Sequence, residues 1–89
     1  MRLVWADRAW DDYLFWQTND PAVLRRVNEL IKDARRNPFT GLGKPEPLKG
    51  NLKGWWSRRI TGADRLVYRV GGKDADQALE ILQCRWHYD

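Results

Sequence analysis

Residues 21–36 divide into one apolar stripe and one basic face, which limits the chain to folds that give a helix something to lie against. Val23, Leu24, Val27, Leu30, Ile31 and Ala34 recur at helical spacing, while Arg25, Arg26, Lys32, Asp33, Arg35 and Arg36 fall on the other side. Asp20 is a good N-cap and Pro21 suits the first helical position. Asn37-Pro38 ends the segment, because proline disfavours helix in the residue before it. The arginines of the last turn also complement the helix dipole, which accounts for Arg35 and Arg36 about as well as contact with a nucleic acid does.

The layer opposite this helix is predicted from short β-prone runs. Arg2–Trp5 reads as a first strand, and residues 7–19 follow as a helix with Trp10, Tyr13, Leu14 and Gln17 at helical spacing. Trp55–Ile60, Arg65–Val70 and about Ala78–Tyr88 read as three further strands. With Gly62–Asp64 as a three-residue loop, Arg59 is expected opposite Val67. One face then carries Trp56, Ile60, Leu66, Tyr68 and Val70, and the other Ser57, Arg59, Arg65 and Arg69. In the last strand Gln83, Arg85 and His87 alternate together, with Leu82, Cys84 and Trp86 opposite, and the apolar phase switches between Ile81 and Leu82, which predicts a bulge or burial on both faces. The expected class is α+β: two N-terminal helices packed on a twisted antiparallel sheet whose opposite face is concave and arginine-rich. Residues 37–54 hold three of the four prolines and four of the seven glycines and show no periodicity. A connection of that length in a compact domain is usually functional or disordered.

Eighty-nine residues and 10.6 kDa are expected to form a single domain, 1–89. Hydrophobic residues at 43%, with six tryptophans, are too many for a disordered basic tail. Cys84 is the only cysteine and has no internal partner. Met1–Asp7 meets an acid before a signal-peptide core can form, and no apolar run approaches the roughly 18 residues of a membrane span. A cytoplasmic protein with no membrane contact is expected. The net charge of +4 is uneven: residues 1–20 carry −2, residues 21–69 carry +8, and residues 70–89 carry −2. A local excess of that size attracts phosphates, anionic lipid or an acidic partner.

Few chemistries suit these residues. One His, one Cys and scattered acids show no metal-ligand spacing, so neither metal nor cofactor is expected. Gly71-Gly72 is a turn rather than a phosphate loop, and a serine triad lacks support although Ser57 and His87 both exist. A basic, metal-free phosphate site remains. RNA can be cut without a metal because its own 2′-hydroxyl is the nucleophile. The protein must then take that proton, stabilise the phosphorane and protonate the leaving 5′-oxygen. A carboxylate, arginines and an imidazole meet those needs, and Glu46, Arg65 with Arg59, and His87 supply them. The Pro45-Glu46-Pro47 frame favours positioning of that acid. Arginines across two strands would repel, so a shared anion is the better account of Arg59 and Arg65.

Six segments in order then make the chain recognisable: Trp10-Asp11-Asp12-Tyr13-Leu14, Asn28-Glu29-Leu30-Ile31-Lys32-Asp33, Gly43-Lys44-Pro45-Glu46-Pro47-Leu48-Lys49, Trp56-Ser57-Arg58-Arg59-Ile60-Thr61, Arg65-Leu66-Val67-Tyr68 and Cys84-Arg85-Trp86-His87-Tyr88. Over almost its whole length the chain closely resembles the YoeB (Txe) toxins of the RelE/ParE superfamily, from bacterial type II toxin–antitoxin pairs. The resemblance implies a microbial-ribonuclease-like fold and a ribosome-dependent mRNA endonuclease acting on A-site codons. On matching positions, Glu46 would be the general base, Arg65 would stabilise the scissile phosphate with Arg59 and Lys49 in support, His87 would be the general acid, and Tyr88 would position the substrate. The resemblance also implies a homodimer on the ribosome, contacting small-subunit rRNA and mRNA, and a YefM-type antitoxin. Arg25, Arg26, Lys32, Lys44 and Lys53 are candidates for ribosome docking. The runner-up is a non-catalytic toxin of the same fold, like the ParE branch that inhibits DNA gyrase. The turn Gly71–Gln77 departs from the family in being a few residues longer.

Overall fold

In the computed structural model, which describes residues 1–88, the predicted amphipathic helix forms over Pro21–Arg36 (α2). The Asp20 carboxylate accepts the Val23 amide at 3.2 Å, so the cap acts as expected. The preceding helix covers Asp7–Asn19 (α1), and the Tyr13 hydroxyl donates to Asn28 Oδ1 at 2.6 Å, tying the two helices together. Val27, Leu30 and Ala34 are fully buried against Leu66, Tyr68, Leu79 and Ile81 of the sheet. Burial of each such leucine contributes about 1.5–3 kcal/mol. Of the N-terminal aromatics, Trp16 belongs to the core, whereas Trp5, Trp10 and Tyr13 form a cluster from which Trp10 stands 45% exposed.

The sheet consists of β1 (Arg2–Trp5), β2 (Glu46–Pro47), β3 (Trp56–Arg59), β4 (Arg65–Gly71) and β5 (Ala78–Gln83), in the order β1-β5-β4-β3-β2. The α+β architecture is the expected one, with two helices on a five-stranded sheet. One pairing differs: β1 runs parallel to β5, so the sheet is mixed rather than wholly antiparallel. The cause is topological. The chain leaves β1 through both helices, β2, β3 and β4, and the last strand then enters between β4 and β1 in the direction that β1 runs.

The β3–β4 register also differs, by two residues. Arg59 lies opposite Arg65 and Ser57 opposite Val67. Thr61 is absorbed by the turn: its Oγ1 accepts the amides of Ala63 and Asp64 at 3.1 and 3.0 Å and donates to Asp64 Oδ2 at 2.7 Å. Such local bonds compete with ladder pairing. An even shift preserves the faces, so the arginines and Ser57 still share the side away from the helices. The predicted bulge is present where the apolar phase changes, since Val67 pairs with Gln83 but Tyr68 pairs with Ile81, leaving Leu82 as the extra residue.

The connection 37–54 is ordered from below by Arg58, which sits on the core face of β3 and is fully buried. Its guanidinium donates to Asp33 Oδ2 at 2.6 Å and to the carbonyls of Leu42, Asn37 and Thr40 at 3.1, 2.5 and 2.9 Å. Nε donates to the Tyr68 hydroxyl at 2.8 Å, and that hydroxyl donates to the Pro38 carbonyl at 2.6 Å. The buried cation therefore finds acceptors on the loop that the helix end delivers, which offsets its desolvation. Gly43 must approach closely: a Cβ there would lie 2.8 Å from Leu30 Cδ2, and its backbone has φ +80°. Its carbonyl accepts the Arg59 amide at 2.7 Å, which sets the chain on course into β2 and places Glu46 beside Ser57.

Candidate active site

Glu46, Ser57, Val67 and Gln83 form one transverse row across β2, β3, β4 and β5, each pair in register. Alternation along the strands puts Arg59 and Arg65 on the same face, opposite each other. Arg65 is held at one end of its fork: Nη1 donates to the carbonyls of Thr61, Asp64 and Gly62 at 2.7, 3.0 and 3.3 Å. That leaves Nε and Nη2 without a protein acceptor among the described residues, fixed in direction and available to an anion. The Arg59 side chain has no ion pair among the described residues. Two like charges opposite each other cost stability unless a negative group joins them.

The fifth strand stops at Gln83 rather than continuing to Tyr88 as expected. Two buried carboxylates explain this. Asp12 on α1 accepts the Cys84 amide at 3.0 Å, and Asp64 accepts the Trp86 amide at 2.7 Å. Trp86 adopts φ 67°, which turns the chain back over the sheet, while its carbonyl accepts the Arg65 amide at 3.0 Å. Gln83 Nε2 closes the loop on the carbonyls of Arg85 and Trp86 at 3.1 and 3.3 Å. Arg85 does not share the face of His87. Its guanidinium stacks 3.4 Å from the Phe15 ring and 4.2 Å from that of Trp86.

The returning tail brings Tyr88 onto the row. Its hydroxyl donates to Glu46 Oε1 at 3.2 Å and accepts from Ser57 Oγ at 3.4 Å. His87 stacks on Tyr88 with ring centres 4.5 Å apart, and its Nδ1 lies 2.7 Å from the Tyr88 carbonyl. A carbonyl can only accept, so Nδ1 carries a hydrogen and Nε2 is the ring atom left to exchange a proton. Burial pushes the Cys84 thiol up to about 12, with the Asp12 and Asp64 carboxylates adding to the shift, so this cysteine is an unreactive core group. The Asp12 carboxyl is likewise raised by burial, partly countered by the Cys84 amide.

A cavity of about 320 Å³ is lined by Glu46, Lys49, Leu52 and Tyr88, and a neighbouring one of about 350 Å³ by His87, Tyr88, Leu82, Gln83, Asn51 and Arg8. Glu46, Lys49, His87 and Tyr88 thus meet along one groove, with Arg59 and Arg65 on the same sheet face. The candidate docking residues are dispersed. Arg26 donates to the Arg59 carbonyl at 3.3 Å, and Lys44 lies just before β2 with φ 53°. Arg25 and Lys53 are exposed. Lys32 instead lines a separate cavity of about 430 Å³ with Met1, Ile31 and Arg35. The sequence placed Ser57 on the arginine face without giving it a part in the site; Arg8 was passed over, and nothing local marked it.

A small mixed sheet with two helices on one face is the fold of a RelE-like toxin. Residues 5–88 match the YoeB-like toxin of bacterial type II toxin-antitoxin system, and the chain belongs to that family. Toxin YoeB of Escherichia coli K12 is 57% identical over 88 residues, 99% of this chain and all of that protein. A YoeB/ParE toxin from Agrobacterium tumefaciens, 57% identical, superposes with a TM-score of 0.94 over 99% of this chain and 100% of its own. The chain also superposes on one chain of the YoeB dimer from Staphylococcus aureus at TM-score 0.87 and on one of the YoeB-YefM complex from the same organism at 0.86, with 40% and 39% identity over 99% of this chain and 98% of theirs.

Proposed function

We propose that this type II toxin is a ribosome-dependent mRNA endoribonuclease that cuts A-site codons without a metal, using the substrate's 2′-hydroxyl as nucleophile. One observation carries the reading: Tyr88 joins Glu46 and Ser57 on the face where Arg59 and Arg65 stand opposed. Glu46 takes the 2′-hydroxyl proton as that oxygen attacks phosphorus. Arg65, with its free Nε and Nη2, neutralises charge on the phosphorane, supported by Arg59 and Lys49. The bond from phosphorus to the 5′-oxygen breaks, and His87 gives that oxygen its Nε2 proton. The products are a 2′,3′-cyclic phosphate and a 5′-hydroxyl; Glu46 ends with one proton more and His87 with one fewer.

The partners follow the same reading. The solved relative that binds YefM supports a YefM-type antitoxin, and the dimeric relative supports a homodimer, for which Trp10 is exposed. Arg25, Arg26, Lys32, Lys44 and Lys53 supply phosphate contacts to small-subunit rRNA, and the setting is the cytoplasm. In a purified translation system, codon-positioned cuts are expected that vanish with His87→Gln or Arg65→Ala. Undiminished cutting by both variants would overturn the site. Inhibition of gyrase supercoiling without any mRNA cutting would overturn the activity.

A further inference from the structure

Arg8 lines the cavity of His87 and not that of Glu46. The cavity it lines with His87, Gln83 and Asn51 adjoins the cavity of Glu46 and Lys49, the two sharing Tyr88 and Leu52. None of the ion pairs among the described residues uses Arg8. Of the two acids one turn on, Asp12 at i+4 accepts the Cys84 amide and Asp11 at i+3 makes no ion pair with Arg8 among the described residues. Arg8 is also the second residue of α1, where the positive end of the helix dipole disfavours a cation. Arg8 makes no ion pair among the described residues, and its charge only partly offsets the burial of the Asp12 carboxylate; its place in a cavity lined by His87 gives it a second use.

The direction of the groove names the ligand. Glu46 takes the proton from the nucleotide 5′ to the cut, and His87 protonates the 5′-oxygen of the nucleotide 3′ to it. The departing strand thus leaves past His87 toward Arg8. We propose that Arg8 binds the phosphodiester one linkage 3′ to the cut, a contact that holds the leaving strand in line without touching the reacting atoms. This assignment rests on the endoribonuclease reading.

The test measures single-turnover cutting on mRNA-programmed ribosomes against toxin concentration for wild type, Arg8→Glu, Arg8→Gln and Arg8→Lys. Arg8→Glu should raise the half-saturating concentration about tenfold, the scale of one lost charge-assisted contact, and leave the saturated rate within about threefold. Arg8→Lys should recover most of the difference. Thermal unfolding of Arg8→Glu should occur at or above the wild-type temperature; were it lower, Arg8→Gln carries the comparison. A second mRNA with an uncharged methylphosphonate at that 3′ linkage should cost the wild type about as much, and Arg8→Glu should then add little, as expected for two halves of one contact. An unchanged half-saturating concentration, or a loss confined to the saturated rate, overturns the assignment. An Arg8→Glu penalty of equal size on both mRNAs also overturns it, because the contact is then to ribosomal RNA. Failure of the wild type to cut at all sinks the endoribonuclease reading instead.

Discussion

The Tyr88 hydroxyl hydrogen-bonds Glu46 Oε1 at 3.2 Å across 42 positions of chain, and the Ser57 hydroxyl donates to it from the other side at 3.4 Å. The phenol thereby orients a carboxylate that sits on a two-residue edge strand with little else to hold it. Tyr88→Phe removes this bond and keeps the ring. A hydrogen bond to a charged group is worth about 1.5–3 kcal/mol, so cutting at saturation should fall about 10- to 100-fold with thermal stability nearly unchanged. Single-turnover rates and a melting curve on the same sample check both halves.

The opposed arginines give a prediction of opposite signs. Arg59→Thr relieves like-charge repulsion across β3 and β4 and places a β-prone residue in the strand. Stability should rise by up to about 0.5 kcal/mol in urea unfolding, while the cutting rate falls at least tenfold. A variant losing both would mean that Arg59 serves the fold.

Arg58 should behave in the contrary way. Replacing it with Met leaves the carbonyls of Asn37, Thr40 and Leu42 without their donor and frees the 37–42 loop. Removing one partner of a buried ionic network typically costs about 3 kcal/mol or more. Urea unfolding should record that loss, and hydrogen exchange should rise at the Leu42 amide, which donates to Asp33 Oδ2, and at the Arg59 amide, which donates to the Gly43 carbonyl.

Acid should act through Asp33. The Leu42 amide, and then the Arg58 guanidinium, hold its carboxyl below the usual carboxylate range. A depressed folded-state value contributes stability that is present above the unfolded pKa, about 3.9, and is lost as pH falls through the folded value. Asp33→Asn should therefore be less stable than wild type at pH 7, with the gap closing below about pH 4. Urea midpoints at pH 7, 5 and 3 read it; a gap constant across that range would assign the effect to packing.

The helices were legible because their signals are local: Asp20-Pro21 and Asn37-Pro38 bracket α2, and the apolar stripe between them chooses its buried side. The bulge at Leu82 was legible for a similar reason, as a change of phase within one strand. What escaped depended on distant chain. The parallel pairing of β1 joins Arg2 to Ala78, and no residue near either announces it. The short strand at Glu46 exists because Gly43 and Leu48 bond to Arg59 and Trp55. Arg58 did leave a trace: it shares the parity of Trp56 and Ile60, a charge on an apolar face, which marks a buried cation with acceptors elsewhere. The early end of β5 needed Asp12 and Asp64, one from a helix and one from a turn, to claim the amides of the tail. The acid, arginine and imidazole of the site were readable as residue types, and the family resemblance named them. The direct opposition of Arg59 and Arg65 was not readable, because the two-residue shift at Thr61 decides which residues face each other.

The row from Glu46 through Ser57 and Val67 to Gln83 makes the sheet a ruler. Neighbouring strands are about 4.8 Å apart, so its ends are separated by about 14 Å in three equal steps fixed by backbone pairing rather than by any side chain. Substitutions along it can change what each graduation carries but not where the graduations lie. A slip of one residue between β2 and β3 would carry Glu46 to the helix side and bring Pro47 to the open one. The calibration of the groove is thus stored in the same hydrogen bonds that hold the fold, and the chain cannot lose one while keeping the other.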